Sequence, residues 1–279
     1  MPSTATLRAR VESTLGERLS SMLLLHEKAA PLTVSTGVTP LDTLTGGLPR
    51  GALSEITGPA SSGRTGVMLA SLAGATQGGE ACALVDASDN FDPASAAVAG
   101  VDLDRLLWIR CGEPNGDSLR KNQRRRALGR LEQVLKVTDL LLQGGGFGMV
   151  VLDLGDIPTE SVRRVPLTSW FRFRRTVEPT ATVLLVVERE ACAKTCASLV
   201  LRLHRTAMCA CDSAPAATET EFHGWKVVGR ATSAIPPVNV VSHAALLRGM
   251  QLHAEVVRSW TQRKPMHSVG INFELRAAW

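Results

Sequence analysis

The most informative motif of this sequence reads Gly58-Pro59-Ala60-Ser61-Ser62-Gly63-Arg64-Thr65. Its glycine spacing lets successive backbone N–H groups curve around a phosphate, and a helix that begins at Thr65 would add the positive end of its dipole. In a loop of this kind the Thr65 hydroxyl is the expected Mg²⁺ ligand. We therefore treat all eight residues as a candidate nucleotide-binding loop.

The segments on either side of the loop agree with this interpretation. Residues Ala52–Thr57 favour a strand that leads into the loop, and Thr65–Gln77 favour a helix that leaves it. Met149–Asp153 is an apolar strand that ends in an acid, and Asp153 is a candidate for the Mg²⁺ shell. A glycine turn that binds nothing is the alternative, but it does not require the second, acidic strand.

Arg64 occupies the position at which loops of this type carry lysine. The compact ammonium of a lysine reaches the terminal phosphates from inside the loop. The planar guanidinium keeps the positive charge, but it is wider and cannot take the same place. We expect ATP and Mg²⁺ to bind weakly and rapid hydrolysis to be impaired.

The rest of the chain alternates between strand-like and helix-like segments. Further strands are predicted at Ala81–Val85, Leu106–Arg110, Ala181–Glu188, Ala197–His204, Trp225–Gly229, Val238–Val241 and Val269–Leu275, and further helices at Thr6–Lys28, Pro93–Ala99, Ser118–Leu142, Ser161–Val177 and Ala244–Gln262. This alternation predicts an α/β fold with a mostly parallel sheet flanked by helices, preceded by an N-terminal helix. We divide the chain into an N-terminal helix and linker (residues 1–33), a core (34–241) and a C-terminal helix and strand packed on the core (242–279).

Composition sets further limits on the class of protein. The chain has 279 residues, of which 44% are hydrophobic and 20% charged, as in ordinary globular proteins. No apolar run approaches the ~18 residues that span a bilayer, and the first residues lack a signal-peptide pattern, so we expect a cytoplasmic protein without membrane contact. The formal net charge of +5 permits nucleic-acid contact without requiring it.

The spacing of cysteines and histidines predicts no metal site. Cys192, Cys196, Cys209 and Cys211 lack the CxxC pairing of zinc sites, and the histidines form no HExxH pair. We interpret the cysteines as small buried hydrophobic residues in a reducing compartment. No serine lies in a G-x-S-x-G elbow, which leaves a serine hydrolase unsupported.

Several ordered motifs around the loop resemble the bacterial RecA core. They are Ser35-Thr36-Gly37, Leu41-Asp42, Gly46-Gly47-Leu48-Pro49, Val85-Asp86-Ala87, Asp92-Pro93 and Gly100-Val101-Asp102. The resemblance extends from about Thr33 to Leu107 and returns more weakly at Met149–Asp153, Thr182–Arg189 and Ser198–Arg205. It implies a RecA-like P-loop NTPase core and a role in DNA repair or recombination.

The departures from the RecA pattern fall on the parts that drive its ATPase cycle. RecA proteins carry a glutamate that positions the attacking water directly after the Asp-Ala pair, and Ser88 stands there instead. The loop after Asp153 is short, and only Glu190–Cys196 follows Arg189 where the family has a long DNA-binding loop. The RecA C-terminal domain has no clear counterpart. Together with Arg64, these changes imply a paralogue that kept the fold and lost the recombinase cycle.

Shorter segments are similar to the ImuA-type proteins, which are RecA-like partners in bacterial damage-induced mutagenesis. These segments are Gly46–Glu55, Val162–Leu167 and Ala197–Leu203. The resemblance implies an accessory (adaptor) role in SOS-type translesion synthesis, beside an inactive Y-family-like protein and an error-prone polymerase. In RecA proteins the segment equivalent to the amphipathic Thr6–Lys28 packs on a neighbouring subunit, so here it would dock on another RecA-fold protein.

Five arginines on the predicted Ser161–Val177 helix form a second candidate site, a contact for nucleic acid or for a partner. They are Arg163, Arg164, Arg172, Arg174 and Arg175. A solvated helix face is one interpretation, and a surface for phosphates or an acidic partner is the other. Aromatic residues make up 4% of the chain and tyrosine is absent, so a base-stacking platform for single-stranded DNA is poorly supplied.

Two rival functions stay open beside the accessory role. The first is an active DNA-dependent ATPase or recombinase that uses Arg64 and a neighbouring aspartate. The second is a module that binds single-stranded DNA without nucleotide. An ATPase assay with and without single-stranded DNA separates the first rival from the accessory role, and a salt-dependent DNA shift tests the second.

Overall fold

The computed structural model describes residues 32–111, 123–209, 220–222, 225–227, 249–259 and 269–277. Its strands are β1 (Thr33–Val34), β2 (Leu48–Pro49), β3 (Ala52–Thr57), β4 (Cys82–Asp86), β5 (Leu106–Arg110), β6 (Met149–Asp153), β7 (Val183–Glu188), β8 (Ala197–Cys209), β9 (Thr220–Phe222), β10 (Trp225–Val227), β11 (Gly249–Arg258) and β12 (Val269–Ala277). Its helices are α1 (Thr39–Thr45), α2 (Arg64–Gln77), α3 (Pro93–Val98), α4 (Gln123–Gly144), α5 (Thr159–Val162) and α6 (Leu167–Val177), with 3₁₀ turns at Leu103–Arg105 and Lys194–Cys196. The helix predicted at Thr6–Lys28 and the strand predicted at Val238–Val241 lie outside the described residues.

Ten of these strands form one sheet in the order β5-β4-β6-β7-β3-β8-β11-β12-β10-β9. The neighbours from β5 to β8 pair in parallel, whereas those from β8 to β9 pair antiparallel. Strands β1 and β2 form a separate small ribbon. The predicted α/β fold with a mostly parallel sheet is therefore confirmed. The loop at 58–65 lies at the carboxyl end of β3, where ligands of such sheets bind.

Helices cover both faces of the parallel strands. Along β6, Met149 and Val151 join the apolar cluster that includes α2, whereas Val150 and Leu152 join the cluster that includes Trp170 of α6. Continuous apolar strands of this kind are stable only when both faces are buried. The two clusters therefore fix the carboxyl ends of β3, β4, β6 and β7 relative to one another. In the described part of the chain, no helix combines the length and apolarity needed to cross a bilayer.

Residues Gly249–Arg258 form strand β11, although a helix was predicted over Ala244–Gln262. Leu252, Ala254 and Val256 are buried and alternate with more exposed neighbours. That period of two belongs to a strand, whereas the composition of the segment suits a helix as well. Strand β11 pairs with β8 along its length, and this pairing outweighs local helix propensity because it satisfies an otherwise open edge of the sheet.

In the C-terminal segment at 242–279, the predicted helix is therefore wrong and the predicted strand is present. The described residues of this segment form two strands that continue the sheet, and β12 confirms the strand predicted at Val269–Leu275. Residues Trp225–Val227 form the strand expected near Trp225–Gly229, and they pair with Thr220–Phe222.

The helix predicted at Ser161–Val177 is divided into α5 and α6. The interruption lies at Pro166, which is the residue before α6 begins. Proline lacks a backbone N–H and disfavours the helical conformation for the residue before it, Val165. Trp170, Phe173 and Val177 of α6 are buried, so this helix keeps the predicted apolar face.

Candidate phosphate-binding site

The loop at 58–65 joins β3 to α2 and is anchored on both sides. The Gly58 N–H donates to the carbonyl of Glu188 at 3.2 Å, which ties the start of the loop to β7. Gly63 precedes α2 with a φ of +85°, a left-handed conformation that favours glycine. A Cβ at this position would lie 2.4 Å from Leu252 Cδ1. The backbone therefore has the strand–loop–helix geometry of a phosphate cradle.

Leu252 packs against the loop at Gly63, and the sequence analysis did not predict this contact. It is fully buried on β11 and packs against Gly63. The sequence predicts a helix for this segment and therefore no contact with the loop. The sequence feature that could have indicated a strand is the alternation of apolar Leu252, Ala254 and Val256 with polar neighbours.

The side chain of Arg64 is 8% exposed, although it carries a full charge. Its Nη1 is buried and has no hydrogen-bond partner among the described residues. Burial lowers the pKa of the guanidinium, and the carboxylate of Asp153 opposes that shift. A Cβ on Gly155 would lie 3.0 Å from Arg64 Nη1 and 3.1 Å from Asp153 Oδ1, so both groups lie against the same glycine.

Asp153 and Thr65, the two predicted Mg²⁺ ligands, have different surroundings. Asp153 ends β6, and its Oδ1 accepts the Gly155 N–H at 2.9 Å. Burial raises the pKa of Asp153 to about 6, against the opposing effects of the Gly155 N–H and Arg64. Thr65 is exposed at the start of α2. The buried, unpartnered Nη1 of Arg64 fits an anionic phosphate, whereas the guanidinium beside Asp153 does not fit a cation held by that carboxylate.

The corner at the end of β4 (residues 86–91, the β4 corner) contains Ser88, which stands at the position of the RecA glutamate. Asp86 is buried, and its Oδ1 accepts the backbone N–H groups of Ser88 and Asp89 at 3.0 and 2.8 Å. Its Oδ2 accepts the Phe91 N–H at 2.9 Å and the Trp108 Nε1–H at 3.3 Å. Asp86 is therefore committed to shaping the corner.

Asp89, the other acid of the β4 corner, is held by Arg110. The guanidinium donates from Nε and Nη2 to both carboxylate oxygens, at 2.5 and 2.7 Å. This contact lowers the pKa of Asp89. The guanidinium of Arg110 also lies 4.9 Å from the ring centroid of Trp108. Both acids beside Ser88 are therefore already engaged by hydrogen-bond donors of the protein.

Comparison with known proteins identifies the family of this fold. Residues 5–157, more than half of the chain, match the RecA N-terminal domain. This chain belongs to the RecA family. The match begins ahead of the first RecA-like motif near Thr33, so it includes the N-terminal segment as well.

Two curated relatives carry the name Protein RecA. The relative from Ectopseudomonas oleovorans is 38% identical over 122 residues, which are 43% of this chain and 30% of that protein. The relative from Allorhizobium ampelinum (strain ATCC BAA-846 / DSM 112012 / S4) is 36% identical over 148 residues, which are 52% of this chain and 36% of that protein. The matched part of the chain spans about a third of the length of these relatives. The resemblance to the RecA core is confirmed.

Arg189 adds a second guanidinium to the site of this RecA-family protein. Its Nε donates to the carbonyl of Gly155 at 2.9 Å, and its Nη2 lies 3.7 Å from Asp156 Oδ1. Its charge also lowers the pKa of Arg64. Asp156 in turn accepts a hydrogen bond from Asn90 Nδ2 at 2.6 Å. The sequence marked Arg189 only as the end of a matching segment and gave no sign of this contact.

A buried pair of acids lies behind the loop and was also missed by the sequence reasoning. Glu55 Oε1 accepts the N–H groups of Cys192 and Ala193 at 2.9 and 2.6 Å, and Glu188 Oε1 accepts the Cys192 N–H at 3.0 Å. Their Oε2 atoms have no partner among the described residues. Burial, together with a hydrogen bond and the charge from Glu55, raises the pKa of Glu188 far above its ordinary range. We therefore interpret Glu188 as holding a proton in the folded protein at neutral pH.

Cys192 completes this cluster, since ligand atoms of Glu55, Glu188 and Cys192 lie within 4.8 Å of one another. Burial and the two acids raise the pKa of the Cys192 thiol. A neutral thiol and a protonated carboxyl group are poor ligands for a cation. The absence of a metal site stays a prediction.

The five arginines of the second candidate site do not form one continuous free surface. Arg163 pairs with Glu190, Arg172 Nε donates to Asp139 at 2.9 Å, and Arg174 Nη1 donates to the Thr195 carbonyl at 3.4 Å. Arg164 and Arg175 are exposed. Exposed pairs of this kind contribute little stability and exchange readily for other anions. Their role in binding nucleic acid or a partner stays a prediction.

Proposed function

We propose that this chain is a RecA-family accessory protein of DNA repair that holds a nucleotide without hydrolysing it efficiently. The single observation that carries the proposal is the state of the β4 corner. Ser88 stands where RecA proteins have the water-positioning glutamate, and both neighbouring acids are already bound by donors of the protein. Hydrolysis requires a group that orients the attacking water, and neither acid of this corner can supply it.

The cradle itself supports binding of a phosphate chain. Its backbone retains the left-handed Gly63 ahead of α2, and Arg64 offers a buried positive charge that lacks a hydrogen-bond acceptor at Nη1. A buried charge without a partner is unfavourable, and a bound anion removes that penalty. Binding would therefore stabilise the folded protein even though turnover is impaired.

The finer assignment is an adaptor in SOS-type translesion mutagenesis, next to another RecA-fold protein or a mutagenesis polymerase complex. The short segments similar to ImuA-type proteins support it, as does the joint change of Arg64, Ser88 and the shortened loop after Arg189. The exposed Arg164 and Arg175 offer positive charge to an acidic partner or to single-stranded DNA.

The test is an ATPase assay on the purified chain with and without single-stranded DNA. We expect no turnover above background in either condition, and Asp153→Ala should behave like the wild type. Turnover that DNA stimulates and that Asp153→Ala abolishes would instead establish the active ATPase. A salt-sensitive shift of single-stranded DNA in the absence of nucleotide, lost in the triple variant Arg172→Ala, Arg174→Ala, Arg175→Ala, would favour the nucleotide-independent module.

A further inference from the structure

The side chain of Arg64 extends away from the loop that carries it. Helix α2 starts after β3, and β7 separates β3 from β6 in the sheet. The Nη atoms nevertheless reach Gly155 beyond the end of β6, and a Cβ there would lie 3.0 and 3.4 Å from them. The guanidinium therefore lies against Gly155 and brings its charge next to Asp153.

This buried charge is only partly compensated. Among the described residues Nη1 has no hydrogen-bond partner, and Asp153 acts on Arg64 through its charge. Asp153 gives its Oδ1 to the Gly155 N–H instead. Buried polar groups are almost always paired, so an unpaired guanidinium nitrogen at the edge where phosphates bind indicates a position suited to an anion.

Arg189 places a second positive charge beside the first. Its Nε is fixed on the Gly155 carbonyl, and about half of the side chain is exposed. The guanidinium groups of Arg64 and Arg189 therefore flank Gly155, and they are close enough for Arg189 to lower the pKa of Arg64. Two fixed cations stand at the end of β6, where a P-loop protein otherwise needs a metal ion.

A magnesium ion does not fit this charge distribution. Beside Asp153 it would meet the guanidinium of Arg64 at short range, and repulsion between like charges is strong where solvent is largely excluded.

We propose that Arg64 and Arg189 together replace the metal ion of this site, and that the loop binds the polyphosphate of a nucleoside di- or triphosphate in its metal-free form. This inference rests on the proposed nucleotide-binding function and names the chemical form of its ligand. Because the cations are built into the chain, affinity for the nucleotide does not depend on free Mg²⁺.

The experiment measures the binding of fluorescent ADP and ATP analogues by anisotropy, once with excess Mg²⁺ and once with EDTA. We expect the dissociation constant of the wild type to change by less than about threefold between the two conditions. Arg64→Lys restores the compact ammonium and frees Asp153, so its affinity should fall by about tenfold or more when Mg²⁺ is chelated. Inorganic triphosphate should displace the analogue from the wild type in EDTA, because the phosphate chain is what the site recognises.

Arg64→Gln should weaken binding about tenfold or more in both conditions, since it removes the fixed charge. Arg105→Gln is the matched control and should bind like the wild type, because Arg105 lies before β5, at the opposite end of the parallel strands. The melting temperature with and without ligand reports whether each variant is folded.

A loss of about tenfold or more in wild-type affinity on chelation would overturn the inference, as would no binding in either condition or no displacement by triphosphate. Loss of affinity on chelation and failure of triphosphate to displace the analogue leave the proposed role of a non-hydrolysing nucleotide-binding protein standing, whereas no binding in either condition would overturn that role as well. ATP turnover would overturn that role and leave the metal-free binding intact, so the two failures are distinguishable.

Discussion

The phosphate loop and the β4 corner follow the carboxyl ends of β3 and β4 in the same sheet, with β6 and β7 between them, but their polar groups are in opposite states. In the loop, Arg64 Nη1 and Ser62 Oγ are buried without partners among the described residues. In the β4 corner, Asp86 accepts four hydrogen bonds and Asp89 is held by Arg110. Unpaired groups are available to a ligand, whereas paired groups are committed to the fold. This difference supports the proposal that the chain binds a phosphate group in the loop and uses the acids of the β4 corner to hold the fold.

The largest effect is expected at the β4 corner. Asp86→Ala leaves three backbone N–H groups and one indole N–H without an acceptor, so the free energy of unfolding should fall by about 3–4 kcal/mol in urea denaturation. Asp102→Ala is the control, since Asp102 is exposed and accepts only the Asp104 N–H beside its ion pair with Arg105. We expect about 1 kcal/mol there.

Equal, small losses in Asp86→Ala and Asp102→Ala would break the comparison. Asp86 would then be dispensable for the fold, and the acids of the β4 corner would be available for chemistry after all.

The next effect tests the backbone of the loop. Gly63→Ala adds a Cβ 2.4 Å from the buried Leu252 Cδ1, at a φ of +85°. Gly79→Ala has the same φ of +85° but would contact nothing within 4 Å, so the difference between the two variants isolates the clash. We expect losses of unfolding free energy of about 2–4 kcal/mol for Gly63→Ala and about 1 kcal/mol for Gly79→Ala. If the two variants lose the same stability, Leu252 is not the support of the loop.

The elements around the loop show which parts of the fold could be predicted from the sequence alone. The bounds of β3 and α2 followed from Gly58 and Gly63, because glycine spacing fixes a strand–loop–helix unit locally. Strand β11 did not follow, since Leu252 and its neighbours suit either period and only pairing with β8 decides between them.

The acid pair and the state of the β4 corner were beyond sequence reasoning for a related reason. Glu55 and Glu188 are far apart in the chain, and nothing local to either residue reveals the other. Likewise Ser88 could be recognised as a departure from the family, but the hydrogen bonds that occupy Asp86 depend on how the corner folds.

The smallest of the stability effects concerns the acid pair behind the loop. The pKa of Glu188 is raised in the folded protein, so its favourable contribution is complete below the ordinary pKa of glutamate and is lost as the pH rises through the raised value. Glu188→Gln does not titrate, and its amide can donate to Glu55 at every pH. Between pH 5 and pH 8 the wild type should therefore lose about 1–2 kcal/mol more unfolding free energy than Glu188→Gln.

The matched control for this measurement is Glu190→Gln, which removes an exposed partner of Arg163 and should keep the wild-type dependence on pH. A Glu188→Gln protein whose stability follows the wild type across the same range would show that Glu188 holds no additional proton in the folded protein.

The most direct test of the central claim follows the fate of bound ATP in a single sample. The purified chain is incubated with radiolabelled ATP and single-stranded DNA, separated from free nucleotide, and the bound label is identified by chromatography. From the proposal that the loop binds phosphate while both acids of the β4 corner are engaged, we predict that the label is retained and recovered as intact ATP. Recovery of ADP, with phosphate released in excess over protein, would contradict the account.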